Sequence, residues 1–138
     1  MIENKTFDIN FINNRNLLDI KIIEEATRLK KSPKNDPDRP FDAIIQSVKQ
    51  GKTLEFFFVE YSGGLFRFSK NIYHDLIIPS KDNLIVEVKA YSDPERQWDK
   101  TVKDLKYKTE NKKWFDAKLF YMFGYDNGKY KFYRKTEL

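Results

Sequence analysis

The sequence predicts a mixed α/β domain in which helices flank a β-sheet. In the N-terminal part of the chain, apolar residues recur at the spacing of one helix face from Leu18 to Leu29. In the middle and C-terminal parts, short apolar runs alternate with turn-forming residues, which is typical of β-hairpins. With 138 residues, the chain is expected to form a single domain over residues 1–138 that is large enough for a hydrophobic core.

The N-terminal region combines a short strand with a helix. Thr6 to Ile12 alternates apolar with polar residues, which predicts a strand. The segment Leu17 to Lys31 has an apolar stripe and ends in lysines, which interact favourably with the negative end of the helix dipole. An asparagine-rich cluster at residues 13–16 offers an N-cap. This segment is therefore predicted to be an amphipathic helix.

A second helix is predicted after a proline-containing break. The break covers Ser32 to Arg39, which is too short to separate two domains. Asp38 is the candidate N-cap of the helix, which begins near Pro40 and ends at Gly51.

Two further pairs of strands are predicted from composition. Thr53 to Tyr61 is rich in aromatic and β-branched residues, and a glycine-containing turn connects it to a second strand, Leu65 to Ser69. Near the C-terminus, Ala117 to Tyr125 and Lys129 to Lys135 flank the sequence Asp-Asn-Gly, which is typical of a tight hairpin turn.

The stretch from His74 to Ala90 carries most of the chemical information in the chain. Two apolar runs, Leu76 to Ile78 and Leu84 to Val88, flank five residues rich in turn formers, and this pattern predicts a β-hairpin. The length of the loop favours a register in which the last residue of the first run pairs with the first residue of the second.

This register places Asp75 directly opposite Glu87, with Lys89 on the same face of the strand. Opposed residues of antiparallel strands have Cβ atoms about 4.5 to 5.5 Å apart, so the two carboxylates would repel each other unless a cation lies between them. Mg²⁺ takes oxygen ligands of this kind, typically one or two carboxylates with waters or phosphate. The hairpin therefore predicts half of a metal site for Mg²⁺, with Mn²⁺ as a substitute.

Asp-x(11)-Glu-x-Lys on a short strand followed by a long one resembles the PD-(D/E)XK nuclease superfamily, over roughly the middle and C-terminal half of the chain. The resemblance implies a restriction-endonuclease-like core, a mixed β-sheet flanked by helices. It also implies that Asp75 and Glu87 hold the metal and that Lys89 positions or activates the attacking water. The chain departs from the pattern at His74, where the family name has proline.

The Glu-x-Lys sequence also occurs at Glu3 to Lys5 and at Glu110 to Lys112, as expected in a chain with 34% charged residues. Only the middle copy lies in an apolar strand with an aspartate opposite it, which is the context that the motif requires. The alternative interpretation of this copy is the solvated face of an edge strand, with Asp75 as a turn residue.

Three further carboxylates are candidates for the site. Many superfamily members are similar in having an N-terminal helix that contributes a glutamate, and this similarity favours Glu25, at the edge of the apolar stripe of the first helix. Asp42 ranks below Asp75 because a helical aspartate at this position would not face a strand glutamate. Glu60, beside a predicted turn, is an outside candidate. For Glu25 and Glu60 the alternative is an ordinary solvated charge.

A helix is predicted directly after the Glu-x-Lys strand, with Asp93 as its N-cap and a proline at its first position. Its lysines, above all Lys100 and Lys103, are well placed to contact nucleic-acid phosphates. Some relatives carry Gln-x-x-x-Tyr here. Gln97 matches the glutamine, but Thr101 stands in the position of the tyrosine.

Composition narrows the class of protein. The net charge of +5 favours an anionic partner, and the lack of an 18-residue apolar segment favours nucleic acid over a membrane. The absence of cysteine excludes disulfides and thiolate zinc sites and fits a reducing, cytoplasmic location. With one histidine, a Ser-His-Asp triad could be built only around His74.

The expected function is that of a Mg²⁺-dependent nuclease of the PD-(D/E)XK type, acting as a DNA endonuclease. Branched or single-stranded DNA is included among the expected partners, and a homodimer is left open. The competing class is a non-catalytic nucleic-acid-binding or regulatory module that retains the nuclease fold. Cleavage activity distinguishes the two.

Overall fold

The computed structural model describes residues 2–71 and 74–138. This part of the chain contains α1 (Arg15–Lys30), α2 (Phe41–Tyr61) and α3 (Pro94–Asn111). Its strands are β1 (Thr6–Asp8), β2 (Arg67–Phe68), β3 (Leu76–Ile78), β4 (Leu84–Tyr91), β5 (Leu119–Asp126) and β6 (Lys129–Glu137). None of the described helices has the length and apolar character needed to cross a membrane.

The strands form one six-stranded mixed sheet in the order β1-β6-β5-β4-β3-β2. β4 and β5 are parallel, and the other neighbouring pairs are antiparallel. Parallel neighbours need a crossover connection, and α3 supplies it. The fold is therefore mixed α/β, with a sheet flanked by helices, as the sequence predicted.

The two faces of the sheet carry separate hydrophobic clusters. Val86 and Val88 of β4 belong to the cluster that also contains the buried residues of α1 and α2. Phe120 and Met122 of β5 belong to the second cluster, with Trp98 of α3 stacked on Phe120 at 5.7 Å between ring centroids. Because side chains alternate along a strand, neighbouring residues of β4 and β5 contribute to opposite faces.

The hairpin register was predicted correctly. Ile78 pairs with Leu84, and two further antiparallel pairs follow, the last of them Leu76 with Val86. Asp82 and Asn83 adopt positive φ values of 55° and 57° in the connecting loop. Aspartate and asparagine tolerate this left-handed conformation better than most residues, which suits them to the loop.

The N-caps of α1 and α3 were also predicted correctly, although α1 begins at Arg15, two residues before the predicted Leu17. Asn14 accepts a hydrogen bond from the Leu17 N–H at 3.2 Å and begins α1. Asp93 does the same for α3, from the Arg96 N–H at 3.2 Å. Each side chain satisfies a backbone donor that has no partner within its helix.

The predicted strand at Thr53 to Tyr61 is wrong. α2 continues through Gly51 to Tyr61, so this segment is helical and does not pair with Leu65 to Ser69. Within that second segment only β2 is a strand, and it pairs with β3. Glycine inside a helix costs about 1 kcal/mol relative to alanine, which is too little to end a helix that is packed on several sides.

Packing explains why the aromatic residues of α2 are helical. Phe56, Phe57 and Phe58 are consecutive and all fully buried, so they point in three different directions around the helix axis. Phe57 stacks on Phe7 of β1 at 4.7 Å between ring centroids, and Phe58 contacts Tyr121 of β5 at 5.1 Å. A helix that is apolar on all sides is a buried helix, and this tertiary packing overrides the β-propensity of aromatic residues.

Two N-terminal details also differ from prediction. β1 ends at Asp8, whose side chain accepts a hydrogen bond from the Asn10 N–H at 2.8 Å, and the chain then forms a 3₁₀ turn over Ile9–Phe11. Pro40, and not Asp38, occupies the N-cap position of α2, which has no side-chain cap hydrogen bond.

Candidate functional site

Asp75 and Glu87 meet beside β3 and β4. Asp75 directly precedes β3, and its Oδ2 accepts a hydrogen bond from the Val88 N–H of β4 at 3.2 Å. The Glu87 carboxyl group also hydrogen-bonds to the Asp75 side chain. The backbone of β4 thus fixes both partners, and the structure brings together the carboxylates that the hairpin register predicts to be opposed.

Burial dominates the electrostatics of this pair, and the charge of Asp75 adds to its effect on Glu87. Glu87 is only 7% exposed, and its burial, followed by the charge of Asp75, raises its pKa to about 9. Burial also raises the pKa of Asp75, against the opposing effect of hydrogen bonds from Val88 and Glu87. The positive charge of Lys89 lowers the pKa of both groups. The pair therefore retains a proton at neutral pH.

The donor atoms fit a hard divalent cation. Oε1 of Glu87 is buried and has no hydrogen-bond partner among the described residues, although buried polar atoms normally have one. Within residues 2–71 and 74–138, no group of three or more His, Asp or Glu side chains is arranged to hold a metal ion. Asp75 and Glu87 would thus supply two carboxylate ligands, and Mg²⁺ usually completes its shell with water and substrate oxygens.

Glu55 of α2 is a third buried carboxylate near this pair. It is 5% exposed, and burial followed by the charge of Asp75 raises its pKa to about 8. Lys52 Nζ lies 3.3 Å from Glu55 Oε1 and lowers the pKa, but burial and Asp75 outweigh this ion pair. The charge of Glu55 in turn raises the pKa of Glu87. We refer to Glu55, Asp75 and Glu87 as the carboxylate cluster.

Glu55 was not predicted because its segment was interpreted as a strand. On a continuous helix, it falls on the same stripe as Ile44 and Val48, both of which are buried. A glutamate on the apolar stripe of a helix is costly to bury, and this was the signal available in the sequence.

Glu25 neighbours the carboxylate cluster from α1. Its carboxylate accepts hydrogen bonds from the Arg28 guanidinium, one of them from Nε at 3.2 Å. Its charge is the last of several causes that raise the pKa of Glu55. Of the two helical glutamates, Glu55 is therefore the buried one, and Glu25 is held in an ion pair.

The other candidate carboxylates lie elsewhere. Asp42 is exposed on the first turn of α2. Glu60 accepts hydrogen bonds from the N–H groups of Asn13 and Asn14, at 2.8 and 3.0 Å, and so fastens the start of α1 to the end of α2.

The other two Glu-x-Lys copies are also outside the site. Glu3 forms an ion pair with Lys135 at 2.6 Å, and Glu110 is exposed near the end of α3. The buried context that distinguishes the middle copy is thus present in the structure.

Two cavities adjoin the site. The first, the α2 cavity, has a volume of about 550 Å³ and includes the side chains of Glu25, Lys52, Glu55, His74 and Asp75. The second, the α3 cavity, has a volume of about 520 Å³ and is lined by Lys89, Tyr91, Gln97, Lys100, Thr101, Lys103, Asp104 and Tyr107. The structure therefore places Lys89 of β4 around one cavity with Gln97, Lys100 and Lys103 of α3, the candidate nucleic-acid contacts.

His74 is buried in the wall of the α2 cavity. Burial lowers the pKa of its imidazole, and its ring centroid lies 5.6 Å from that of Phe115. The neutral ring thus acts as a packing group beside Asp75.

The candidate site combines buried carboxylates with the lysines of α3. The carboxylate cluster offers buried oxygen donors, and Lys89 connects it to the lysines of α3. The chain matches no protein-family model, no curated protein and no solved structure.

Proposed function

We propose that the protein is a metal-dependent nuclease with a restriction-endonuclease-like core, and that it hydrolyses phosphodiester bonds in DNA. One observation carries the proposal: Asp75 and Glu87 are in direct contact in a buried position, with a lysine two residues further along the same strand. Buried like charges are unfavourable unless a function or a cation compensates them.

Asp75 and Glu87 would hold Mg²⁺ or Mn²⁺. A bound divalent cation supplies Lewis-acid chemistry, since it polarises a phosphoryl oxygen and makes water more acidic. The cluster of carboxylates must lose its proton before it can bind the cation. Because burial and the charge of Asp75 hold this proton on Glu87, cation binding by Asp75 and Glu87 would be coupled to proton release.

Lys89 provides the complementary charge. It interacts electrostatically with both Asp75 and Glu87, and its side chain also lines the α3 cavity. From this position the ammonium group orients the attacking water or stabilises the negative charge that develops on the phosphate.

A second candidate function is a nucleic-acid-binding module without catalytic activity. The observation that favours it is the basic surface of α3, because its lysines and the net charge of +5 support DNA binding without any metal. The two functions differ in whether DNA is cleaved.

The test is a cleavage assay on plasmid, linear, single-stranded and branched DNA, with Mg²⁺, Mn²⁺ or chelator. We expect metal-dependent cleavage by the wild type and by Glu110→Gln, which changes a Glu-x-Lys glutamate outside the site. Glu87→Gln, which preserves the shape of the side chain, should lose cleavage. If folded wild-type protein binds DNA but cuts no form of it, the binding module is the correct function.

A further inference from the structure

We propose that the α3 cavity binds one unpaired nucleotide beside the cleavage position, so that the preferred substrate is single-stranded or contains an extrahelical base. This inference rests on the proposed nuclease function and specifies its substrate. It is carried by the charge, the aromatic side chains and the position of the cavity.

The charge of the cavity selects an anion. Lys89, Lys100 and Lys103 line it, and none of the three is in an ion pair within the part of the chain that the structure describes. The acidic residue in its wall, Asp104, is paired with Lys108 at 3.4 Å. Lys89 also interacts with the carboxylate cluster, and Lys100 and Lys103 add positive charge around the same concave surface. This charge favours phosphate, which lysine binds as a point charge.

The aromatic side chains indicate a ligand that contains more than a phosphate group. Tyr107 is 58% exposed. Tyr91, at the end of β4, lies in the same wall and packs against the second hydrophobic cluster. An exposed aromatic ring next to lysines is typical of sites that bind single-stranded nucleic acid, since a base stacks on the ring while the lysines contact the backbone.

The size and shape of the cavity distinguish an unpaired base from a duplex. A volume of about 520 Å³ lies within the range of small-molecule sites, about 300 to 1,000 Å³, and is adequate for a nucleotide. In a duplex the faces of the bases are covered by their neighbours, so a base must leave the stack before it can lie on Tyr107.

The position of the cavity connects it to the chemistry. Lys89 lines the cavity and also acts electrostatically on Asp75 and Glu87. A nucleotide bound there is therefore directly beside the phosphate that the carboxylate cluster would process.

The experiment measures binding in chelator, so that no strand is cut. A single-stranded oligonucleotide containing 2-aminopurine and its blunt duplex are titrated with wild type, Tyr107→Ala, Tyr107→Phe and Phe11→Ala. Phe11 is a matched control because it is 54% exposed and follows β1 at the far edge of the sheet. Circular dichroism verifies that each variant is folded.

We expect the wild type to bind the single strand more tightly than the duplex. Tyr107→Ala should weaken single-strand binding about 5- to 150-fold, the range found for loss of one base–aromatic stack. Tyr107→Phe and Phe11→Ala should bind like the wild type, and duplex binding should be the same for all four proteins.

Equal affinity for the two DNA forms, or equal loss of both in Tyr107→Ala, would overturn the assignment of the cavity. Cleavage assayed separately distinguishes this failure from failure of the proposed function. Metal-dependent cutting of a single strand that is insensitive to Tyr107→Ala retains the nuclease and removes the nucleotide site. If binding depends on Tyr107 but no condition gives cleavage, the nucleotide site is supported and the nuclease function is wrong.

Discussion

The carboxylate cluster and the lysines of the α3 cavity differ in how far their ionisable side chains are buried. Glu55 and Glu87 are almost fully buried, and their pKa values are raised to about 8 and about 9. Lys100 and Lys103 are exposed on a surface helix. The acids therefore cost the fold stability, whereas the lysines remain solvated.

This difference in burial determines how strongly each region indicates a function. A solvated lysine costs the fold little energy, so a single one says little about function. A group of lysines around a cavity with an exposed tyrosine is more informative. A buried glutamate without a full set of partners is costly, and such residues with strongly shifted pKa values concentrate at functional sites. Mutations should accordingly have larger effects in the carboxylate cluster than in the α3 cavity.

The largest expected effect is on cleavage. Asp75→Ala, Glu87→Ala and Lys89→Ala should each reduce the cleavage rate on the order of a thousandfold or more, and the triple variant should lose little more, because residues of one catalytic unit are non-additive. The measurement is single-turnover cleavage with Mg²⁺ or Mn²⁺, and binding in chelator provides the control. Removing Asp75 or Glu87 adds no negative charge to the site, so DNA affinity should stay level or rise. A folded Glu87→Ala variant that cuts at the normal rate would contradict the catalytic role.

A smaller effect is expected for the helical glutamates, and it distinguishes Glu55 from Glu25. Glu55→Gln should weaken Mn²⁺ binding about 10- to 100-fold, which is typical for a residue that supports metal ligands without being one. Glu25→Gln should bind Mn²⁺ like the wild type, because Arg28 already engages that carboxylate.

Isothermal titration calorimetry on the folded variants measures both affinities, and the metal-induced rise in melting temperature provides a second readout. Equal losses in the two variants would mean that the burial of Glu55 has no part in metal binding. A loss confined to Glu25→Gln would restore the assignment favoured by the sequence.

The contrast between these glutamates also shows what could be predicted from the sequence. The hairpin register followed from local rules, namely alternation of side chains and loop length, and these rules located Asp75, Glu87 and Lys89 correctly relative to one another. α3 and the C-terminal hairpin had equally local signals in the Asp93 cap and the Asn127-Gly128 turn.

The place of Glu55 in the cluster depends on contacts that are not local in the sequence. Its segment has the composition of a strand, and it is helical because Phe56, Phe57 and Phe58 pack against β-strands on several sides of α2. Those contacts join residues that are distant in the sequence, so a local pattern does not contain them. Glu55 becomes recognisable in the sequence only once its segment is known to be helical, because it then falls on the buried stripe of Ile44 and Val48.

The raised pKa of Glu87 predicts how stability depends on pH. Between its ordinary value of 4.5 and its folded value of about 9, the native state binds a proton that the unfolded state does not. The free energy of unfolding of the metal-free protein should therefore fall as the pH rises through this range. Glu87→Gln cannot ionise, so it should be more stable than the wild type at pH 9 by on the order of a few kcal/mol, because each unit of pKa shift corresponds to about 1.4 kcal/mol.

Urea unfolding in chelator at pH 5 and at pH 9 measures this difference. At pH 5 the wild-type side chain is protonated, so the two proteins should unfold at similar urea concentrations. A stabilisation of equal size at both pH values would reflect packing and would contradict a proton held at Glu87.

The smallest expected effect concerns the lysines, and it tests whether they act only as surface charges. Charge reversal at Lys100 and Lys103 should weaken binding of all DNA sequences alike, because interactions with phosphate carry no sequence information. For every phosphate that the variant no longer neutralises, the slope of log affinity against log salt concentration should become shallower by about 0.7 on single strands and 0.9 on duplex DNA. The control is charge reversal at Lys129 and Lys131, which are exposed on β6, two strands from β4, and change the net charge equally. If both charge-reversal variants changed the slope by a similar amount, DNA binding would depend on net charge alone. The α3 cavity would then not be a preferred contact site for the DNA backbone.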